Sequence, residues 1–237
     1  MSEVPTVAEP TAITRESLKA GVLQRMIAAG DPTAQVLSFE ALAESRRSIL
    51  AAEGAAGGDV WVFAYGSLIW NPAFHFVERR TGLIHGWHRR FCLWTALGRG
   101  TPDRPGLVLG LDRGGTCRGL VFRIAAAAVE EELDLIWRRE MVTAAYSPRW
   151  VTAATPEGPV RAVAFTIDRT QPRYAGRLSE EETAQVLARA HGQLGSCQDY
   201  FRSTLDHLVS LGIRDHGLEA LRRRIAALGL ADPPPLV

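Results

Sequence analysis

Apolar residues near the start of the chain recur at helical spacing. After Thr14 they return every three or four positions, which predicts one amphipathic helix capped by Thr14 and ended by Gly30. Ser38 predicts the cap of a second helix. Residues 1–13 are predicted to be a loose leader, and the Gly-rich stretch 54–59 a linker. These helices are therefore expected to be an appendage to the rest of the chain.

From Val60 the pattern changes to short apolar and aromatic runs that Gly and Pro interrupt. WVFAYGSLIW predicts a buried strand that leads into a tight turn at Gly66-Ser67, and FVERRTGLIHGWHRRFCLW predicts strand, turn and strand. Further short strands are predicted at LVLGLD, CRGLVFRI and RAVAFTID. One helix, over about 126–144, interrupts the strands. This pattern favours a small barrel or strongly curved sheet over a parallel doubly wound sheet.

The last quarter of the chain returns to helical spacing. Ser179 and Glu182 form a capping box before one predicted helix, and Ser196 is the predicted cap of the next, which ends at Gly212. A third helix is predicted from about 217 to 228. The fold class expected from these elements is α+β, a small mixed β-barrel decorated by helices with an N-terminal helical extension.

The helix in the middle of the chain carries a carboxylate in an unexpected position. Leu133, Ile136 and Trp137 form one apolar stripe, and Glu140 is the next member of that stripe. A carboxylate among apolar side chains costs free energy to bury unless a partner or a reaction uses it. Glu140 therefore marks either chemistry or a helix end that emerges into water.

The second candidate feature is the turn Tyr65-Gly66-Ser67-Leu68. A turn of this kind can point successive backbone N–H groups into one concavity, which holds a carboxylate or a developing oxyanion. Glycine lets a ligand approach closely. The alternative is an ordinary turn at the end of a strand. Together with Glu140, the turn suggests anion binding beside a general base, and from the residues alone the prediction ends at a small-molecule site.

Composition and charge exclude several classes of protein. The net charge of +1 gives no reason to expect binding to nucleic acid. The three cysteines lack any CxxC spacing, so neither a zinc site nor a disulfide framework is expected. We expect no metal and no cofactor, since the dinucleotide, P-loop, hydrolase and zincin motifs are absent from the sequence. No signal peptide or membrane span is predicted, and a cytoplasmic location is expected.

Six ordered segments resemble the ChaC-like, glutathione-specific γ-glutamylcyclotransferases. They cover about residues 60–225, and their order and spacing are specific, although YGSL alone would be weak. The segments are VFAYGSLIWNP (62–72), GWHRRF (86–91), RGTPDRPGLVLGL (99–111), CRGLVFRI (117–124), RREMVTAAY (138–146) and LGIRD (211–215). The resemblance implies a γ-glutamylcyclotransferase-like barrel domain over 59–230, after a leader and helical extension over 1–58. The role of that extension, packing against the barrel or docking a partner, stays open.

The resemblance also implies the site residues and the reaction. Glu140 would be the catalytic general acid and base; residues matched to substrate binding are Tyr65, Gly66, Ser67, Leu68, Arg89, Arg99 and Tyr146. Arg90 is the alternative to Arg89, since strand register decides which one faces inward. The chain departs from the family pattern at Ala64, Trp87 and Ala144-Ala145.

The implied reaction is intramolecular and needs no cofactor. The α-amine of glutathione attacks its own γ-carbonyl, which releases 5-oxoproline and cysteinylglycine. A Glu in apolar surroundings has a raised pKa, closer to that of the amine. Two alternatives are kept: a cyclotransferase for other γ-glutamyl amines, and a non-catalytic regulator that binds a γ-glutamyl ligand. The expected partner is thus a small-molecule substrate, and the oligomeric state is not assigned.

Overall fold

The computed structural model describes residues 13–30, 34–54 and 57–229. Within them, five strands close into a barrel in the order β1-β3-β2-β4-β5, and seven helices surround it. The barrel strands are β1 (Val60–Ala64), β2 (Glu78–Thr95), β3 (Gly106–Ile124), β4 (Tyr146–Thr155) and β5 (Gly158–Ile167). The α+β fold class with a small mixed barrel is therefore confirmed.

The barrel closes through parallel pairings of β5 with β1 and, at Leu111 and Thr166, with β3. β1 pairs antiparallel with β3 and parallel with β5, where Trp61 lies opposite Ala162. The remaining neighbours, β3 with β2 and β4 with β5, are antiparallel, and β2 meets β4 at Leu83 and Ala154. Large buried side chains such as Phe63 fill the interior. This packing is expected for a barrel too small to leave an open channel.

The longest strands correct two sequence predictions. The predicted strand–turn–strand over FVERRTGLIHGWHRRFCLW is wrong, because these residues form the single strand β2. Gly86, with φ of 81°, lies in a β-bulge rather than in a chain reversal. The segments LVLGLD and CRGLVFRI likewise belong to one strand, β3, which continues through Gly114 and Gly115 at positive φ.

The helices begin where the capping residues predicted. Ser38, Ser179 and Ser196 each cap a helix, and the last two form complete capping boxes. The helices are α1 (Arg15–Lys19), α2 (Val22–Gly30), α3 (Phe39–Ala52), α4 (Val129–Glu140), α5 (Glu180–Arg189), α6 (Cys197–Ser210) and α7 (His216–Ala227). Between α5 and α6 lie the two-residue strands β6 (His191–Gly192) and β7 (Gly195–Ser196).

The predicted single helix after Thr14 is wrong in one respect. Thr14 caps α1 with a capping box, but Gly21 adopts φ of 69° and separates α1 from α2. A left-handed residue cannot continue an α-helix, so the chain changes direction there. Residues 1–12 of the predicted leader and 230–237 of the tail lie outside the described residues.

Helix α4 lies against the barrel and sets the position of its last residue. Leu133, Ile136 and Trp137 are buried, as their spacing predicted, and Trp137 meets the ring of Phe165 edge-on at 5.0 Å between centroids. The predicted span of 126–144 was too long, because a 3-10 turn precedes Val129 and the helix ends at Glu140. Packing of this stripe therefore fixes where the Glu140 carboxylate leaves the helix.

The helical extension before the barrel packs on α4. Trp137 donates its indole N–H to the hydroxyl of Ser45 in α3 at 3.1 Å, and Arg46 pairs with Asp134 at 2.9 Å. The predicted domain boundary between residues 58 and 59 stays a prediction. Of the helices in the described part of the chain, none is both long and apolar enough to cross a membrane.

Candidate active site

The turn that leaves the barrel after β1 is held from both sides. The Tyr65 side chain is buried, and its hydroxyl donates to the backbone oxygen of Phe165 at 2.9 Å. From the opposite side, the Arg89 guanidinium donates through Nε to the backbone oxygen of Tyr65. Its other nitrogens bond to Asp215 at 2.5 Å and to the backbone oxygen of Arg118 at 2.6 Å. Nε of Arg89 thus holds the entry to the turn, and the other two nitrogens hold the guanidinium in place.

The rest of the turn presents backbone N–H groups. An added Cβ on Gly66 would stand 3.2 Å from the Tyr200 hydroxyl, a tight contact that a glycine avoids. Ile69 donates to the backbone oxygen of Gly66 at 2.9 Å. Within the part of the chain that the structure describes, no backbone carbonyl accepts from the N–H groups of Ser67 or Leu68. These amides are available to a ligand oxygen.

Glu140 lies at the C-terminal end of α4 and is 13% exposed. Burial raises the pKa of its carboxyl, and the neighbouring Arg139 opposes this shift only in part, although its Nε lies 3.1 Å from Glu140 Oε1. The negative end of the helix dipole disfavours the ionised form as well. Arg139 also donates to the backbone oxygen of Asn71 at 2.5 Å, so its guanidinium is shared between the helix end and the segment after the turn.

The turn and Glu140 line one small recess of about 20 Å³ at the end of the barrel. Its lining residues come from the turn, three strands and two helices. They are Tyr65, Gly66, Ser67, Leu68, Leu109, Glu140, Tyr146, Phe165 and Tyr200. Glu140 and the residues that carry the unused backbone amides therefore line the same confined space.

Three tyrosines surround the recess and remain protonated at neutral pH. Burial raises the pKa of Tyr65 and Tyr146 well above their usual range, and it raises that of Tyr200 to about 12. The hydroxyl of Tyr146 donates to the backbone oxygen of Leu109 at 2.7 Å. The phenols therefore add polarity to the recess without adding negative charge beside Glu140.

A larger chamber of about 690 Å³ adjoins the recess. The two share Ser67, Glu140, Tyr146 and Tyr200 as lining residues. Arg99 also lines the chamber; its guanidinium lies 5.7 Å from the centre of the Tyr200 ring and donates to a backbone oxygen of Ser196 at 3.4 Å. Burial lowers the pKa of Arg99, and among the described residues no carboxylate forms an ion pair with it. The chamber thus offers a cation to an anionic ligand group.

Seven of the eight site residues predicted from the sequence line these two cavities. The two cavities bring together Tyr65, Gly66, Ser67, Leu68, Arg99, Glu140 and Tyr146. Arg89 lines neither of them. Arg89 lies beneath the turn, and the alternative, Arg90, faces Asp112 and the backbone oxygen of Gly176 instead. Neither arginine lines the recess or the chamber.

Sequence reasoning missed several residues that line the cavities. Tyr200 belongs to α6, and Arg173 belongs to the segment between β5 and α5, where it donates to Thr143 at 2.9 Å. No local motif marks either residue; the capping box at Ser196 predicted only the helix that carries Tyr200. Residues 13–30, 34–54 and 57–229 contain no group of three or more His, Cys, Asp or Glu side chains arranged to hold a metal ion.

Comparison with known proteins identifies relatives over most of the chain. The family model described as ChaC-like protein matches residues 60–228. The glutathione-specific γ-glutamylcyclotransferase of Escherichia coli strain K12 is 42% identical over 183 residues, which cover 76% of this chain and 79% of the relative. The glutathione-specific γ-glutamylcyclotransferase 1 of Mus musculus is 31% identical, over 71% of this chain and 79% of the relative.

A solved structure agrees with the fold. The crystal structure of a yeast γ-glutamyl cyclotransferase specific to glutathione superposes with a TM-score of 0.66 at 23% identity. The superposition covers 72% of this chain and 96% of the yeast chain. This similarity supports the arrangement of the barrel and its helices.

Proposed function

This chain belongs to the ChaC-like protein family, and we propose that it is a γ-glutamylcyclotransferase that acts on glutathione, with Glu140 as its general acid and base. The observation that carries the proposal is the recess that Glu140, with a pKa raised by burial, lines together with Ser67 and Leu68, whose amides have no backbone acceptor. The names and identities of the curated relatives support the substrate.

The proposed reaction transfers an acyl group within one molecule. The nitrogen of the α-amine attacks the γ-carbonyl carbon, a new C–N bond closes the five-membered lactam, and the γ-amide C–N bond breaks. The products are 5-oxoproline and cysteinylglycine. The nucleophile belongs to the substrate, so the protein needs to fold the flexible glutamyl chain into an attack geometry. Such orientation can contribute on the order of 7–11 kcal/mol to lowering the barrier.

Proton transfer is the task of Glu140. The α-amine of the substrate is mainly an ammonium at neutral pH, because the reference pKa of an α-amino group is roughly 7.7–8.0. The ammonium loses one proton before the attack, and its nitrogen loses a second as the lactam forms; the Glu140 carboxylate takes a proton from this nitrogen and delivers one to the leaving amine. Burial raises the pKa of Glu140, which brings the two groups closer in proton affinity and makes the transfer less uphill.

The turn and one arginine are proposed to bind the substrate's oxygens. The N–H groups of Ser67 and Leu68 would hold the γ-carbonyl oxygen as it gains negative charge in the transition state. Arg99 would bind the carboxylate at the other end of glutathione, since it lines the chamber and has no ion-pair partner among the described residues. Tyr65 and Tyr146 would line the recess beside the γ-carbonyl.

Arg89 receives a different proposed role from the one that its motif implied. Its guanidinium bonds to the backbone oxygen of Tyr65, to Asp215 and to the backbone oxygen of Arg118. We therefore propose that Arg89 positions the turn and does not contact the substrate. An Arg89→Lys variant would lose part of this fork, so kcat is expected to fall more than the affinity for glutathione.

The test is release of 5-oxoproline from reduced glutathione and, separately, from a simple γ-glutamyl amino acid. Turnover of glutathione alone is expected for the wild type, and none for Glu140→Gln. Equal turnover of both compounds would assign the protein to the broader class of γ-glutamyl amine cyclotransferases. Binding of glutathione without turnover of either compound by folded wild type would contradict the enzyme proposal and favour a γ-glutamyl-binding regulator.

A further inference from the structure

One wall of the chamber comes from outside the segment that matches the family. Residues 13–30, here called the N-terminal strap, carry α1 and α2 and precede the matched residues 60–228. Four strap residues line the chamber, and all four are apolar: Ile13, Leu23, Met26 and Ile27. The chamber beside the proposed site is therefore completed by a segment that the barrel does not supply.

The start of the strap is tied to α4 and to the segment after the turn. Arg15 in α1 pairs with Glu132, which is 2% exposed, and with Glu131 at 2.6 Å. Asn71 donates its side-chain amide to the backbone oxygen of Ile13 at 2.8 Å, and the Asn71 backbone oxygen accepts from Arg139. Through Asn71 the strap is bonded to the residue that precedes Glu140 in the chain.

The end of the strap meets the loop between β2 and β3. Gln24 donates to the backbone oxygen of Arg138 at 3.4 Å, which holds α2 on α4. At the last residue of α2, an added side chain on Gly30 would overlap the side chain of Leu97. Leu97 also lines the chamber. The strap thus spans from α4 to this loop, and its apolar face closes the chamber.

The chamber has both charged and apolar lining residues. Arg99, Arg173 and Asp199 supply charged groups, while the strap, with Leu97 and Leu194, supplies apolar surface. The recess of about 20 Å³ holds no more than a small group such as a carbonyl oxygen, so most of a substrate would lie in the chamber, whose volume of about 690 Å³ is typical of pockets that hold a ligand of drug size. The leaving half of a substrate would occupy the chamber, so an apolar substituent on that half would lie against the strap.

We propose that the enzyme also cyclises glutathione thioethers, and that the strap binds the apolar group on their sulfur. This inference rests on the proposed function. The α-amine nitrogen again bonds to the γ-carbonyl carbon, the γ-amide C–N bond breaks, and one proton moves from the amine to the leaving nitrogen. The products are 5-oxoproline and an S-substituted cysteinylglycine. The sulfur takes no part in the reaction, so no oxidant or reductant is required.

The experiment measures kcat/KM for 5-oxoproline release from glutathione and from S-methyl-, S-butyl- and S-hexylglutathione. For the wild type we expect kcat/KM to rise with chain length, by at most roughly fourfold for each buried methylene. Met26→Gln keeps the length of the side chain but adds an amide to the wall. It should lower kcat/KM for the S-hexyl compound at least about fivefold and leave glutathione within about twofold. Ala28→Gln, on the exposed side of α2, is the matched control and should change neither value.

Two results would overturn the inference while leaving the proposed function intact. In the first, the wild type turns over glutathione but processes the S-hexyl compound more than about a hundredfold more slowly. In the second, Met26→Gln lowers kcat/KM equally for both compounds. A calorimetric titration of Glu140→Gln with S-hexylglutathione separates binding from chemistry. If adding Met26→Gln weakens this binding at least fivefold, the strap site is supported even when no compound is turned over. The absence of turnover would then contradict the proposed function alone. Unchanged binding contradicts the strap site.

Discussion

The two ends of α4 each hold a glutamate that is largely buried, yet their surroundings give opposite results. Glu132 lies near the start of the helix and Glu140 at its end; their side chains are 2% and 13% exposed. Burial raises the pKa of both. At Glu132 the hydrogen bonds from Arg15 and from the His75 backbone N–H outweigh burial, so its pKa is lowered. At Glu140 the Arg139 guanidinium does not outweigh burial, and the pKa is raised.

The difference shows that burial alone does not identify a functional carboxylate. Both carboxylate oxygens of Glu132 accept hydrogen bonds from Arg15, and one also accepts from the His75 backbone N–H. The carboxylate therefore anchors the strap and is not available to a ligand. Glu140 shares one ion pair with a neighbour on its own helix and opens into a recess. A raised carboxyl pKa is useful for exchanging a proton with an amine only at the second position.

The largest expected effect comes from moving the carboxylate at the end of α4. Glu140→Asp keeps the charge but draws the carboxylate back by one methylene, and a misplacement of this size costs on the order of a hundredfold in rate. We expect kcat for glutathione to fall by about that factor with the fold unchanged, as followed by circular dichroism. Glu132→Asp, the matched change near the other end of α4, should leave kcat within about threefold of wild type. An equal loss of kcat in both variants would contradict the difference proposed between the two glutamates.

Removing the charge at Glu132 is expected to cost stability rather than chemistry. Glu132→Gln weakens charged hydrogen bonds with Arg15 and the His75 amide, and a hydrogen bond to a charged group contributes roughly 1.5–3 kcal/mol. Urea titration should show a free energy of unfolding lower by about that amount. Unchanged stability would mean that the strap is not anchored through this residue.

The pH dependence of stability should have opposite signs for the two glutamates. The pKa of Glu140 is raised in the folded protein, so its ionisation costs stability as pH rises from the unfolded value, about 4.3, through the folded one. Glu140→Gln should therefore be more stable than wild type at neutral pH, and the difference should vanish in acid. The pKa of Glu132 is lowered, so its stabilising effect is present above about 4.3 and is lost as pH falls through the folded pKa. Urea titrations of both Gln variants between pH 3 and 8 measure the two trends, and parallel trends would refute them.

The smallest expected effect lies just beyond the end of α4. Ala144 adopts φ of 52°, a left-handed conformation that costs an alanine roughly 1–2 kcal/mol. Glycine removes this cost but loses about 0.5–1 kcal/mol through the greater entropy of the unfolded chain. Ala144→Gly should therefore raise the free energy of unfolding by roughly 0.5–1 kcal/mol, measurable as a small increase in Tm. A decrease would show that Ala144 is not strained in solution.

The sequence predicted the features that local chemistry decides. Caps at Ser38, Ser179 and Ser196 follow from side-chain hydrogen bonds within four residues, and the stripe from Leu133 to Trp137 follows from helical spacing. The pattern of short strands predicted the barrel, and the resemblance of six motifs supplied seven of the residues that line the two cavities.

Features that depend on long-range pairing were not predictable in the same way. Gly86 at a bulge and a glycine at a chain reversal have the same local signal, and only the pairing of β2 with β3 distinguishes them. The contact of Arg89 with Asp215, and the positions of Tyr200 and of the strap beside the chamber, join segments that are far apart in the chain. No local pattern marks these residues, so the hydrogen bonds on which the proposed role of Arg89 rests, and the apolar wall, could be read only from the folded structure.

The most direct test of the central claim compares the two glutamine variants in one assay. Wild type, Glu140→Gln and Glu132→Gln are given saturating glutathione at pH 7.5, and 5-oxoproline is measured. Removal of a general acid–base residue costs roughly 10²–10⁴-fold, so we expect Glu140→Gln to lose at least a hundredfold in kcat while Glu132→Gln stays within about threefold of wild type. Retained activity in Glu140→Gln, in a protein that is folded and binds glutathione, would contradict the assignment of Glu140 as the general acid and base.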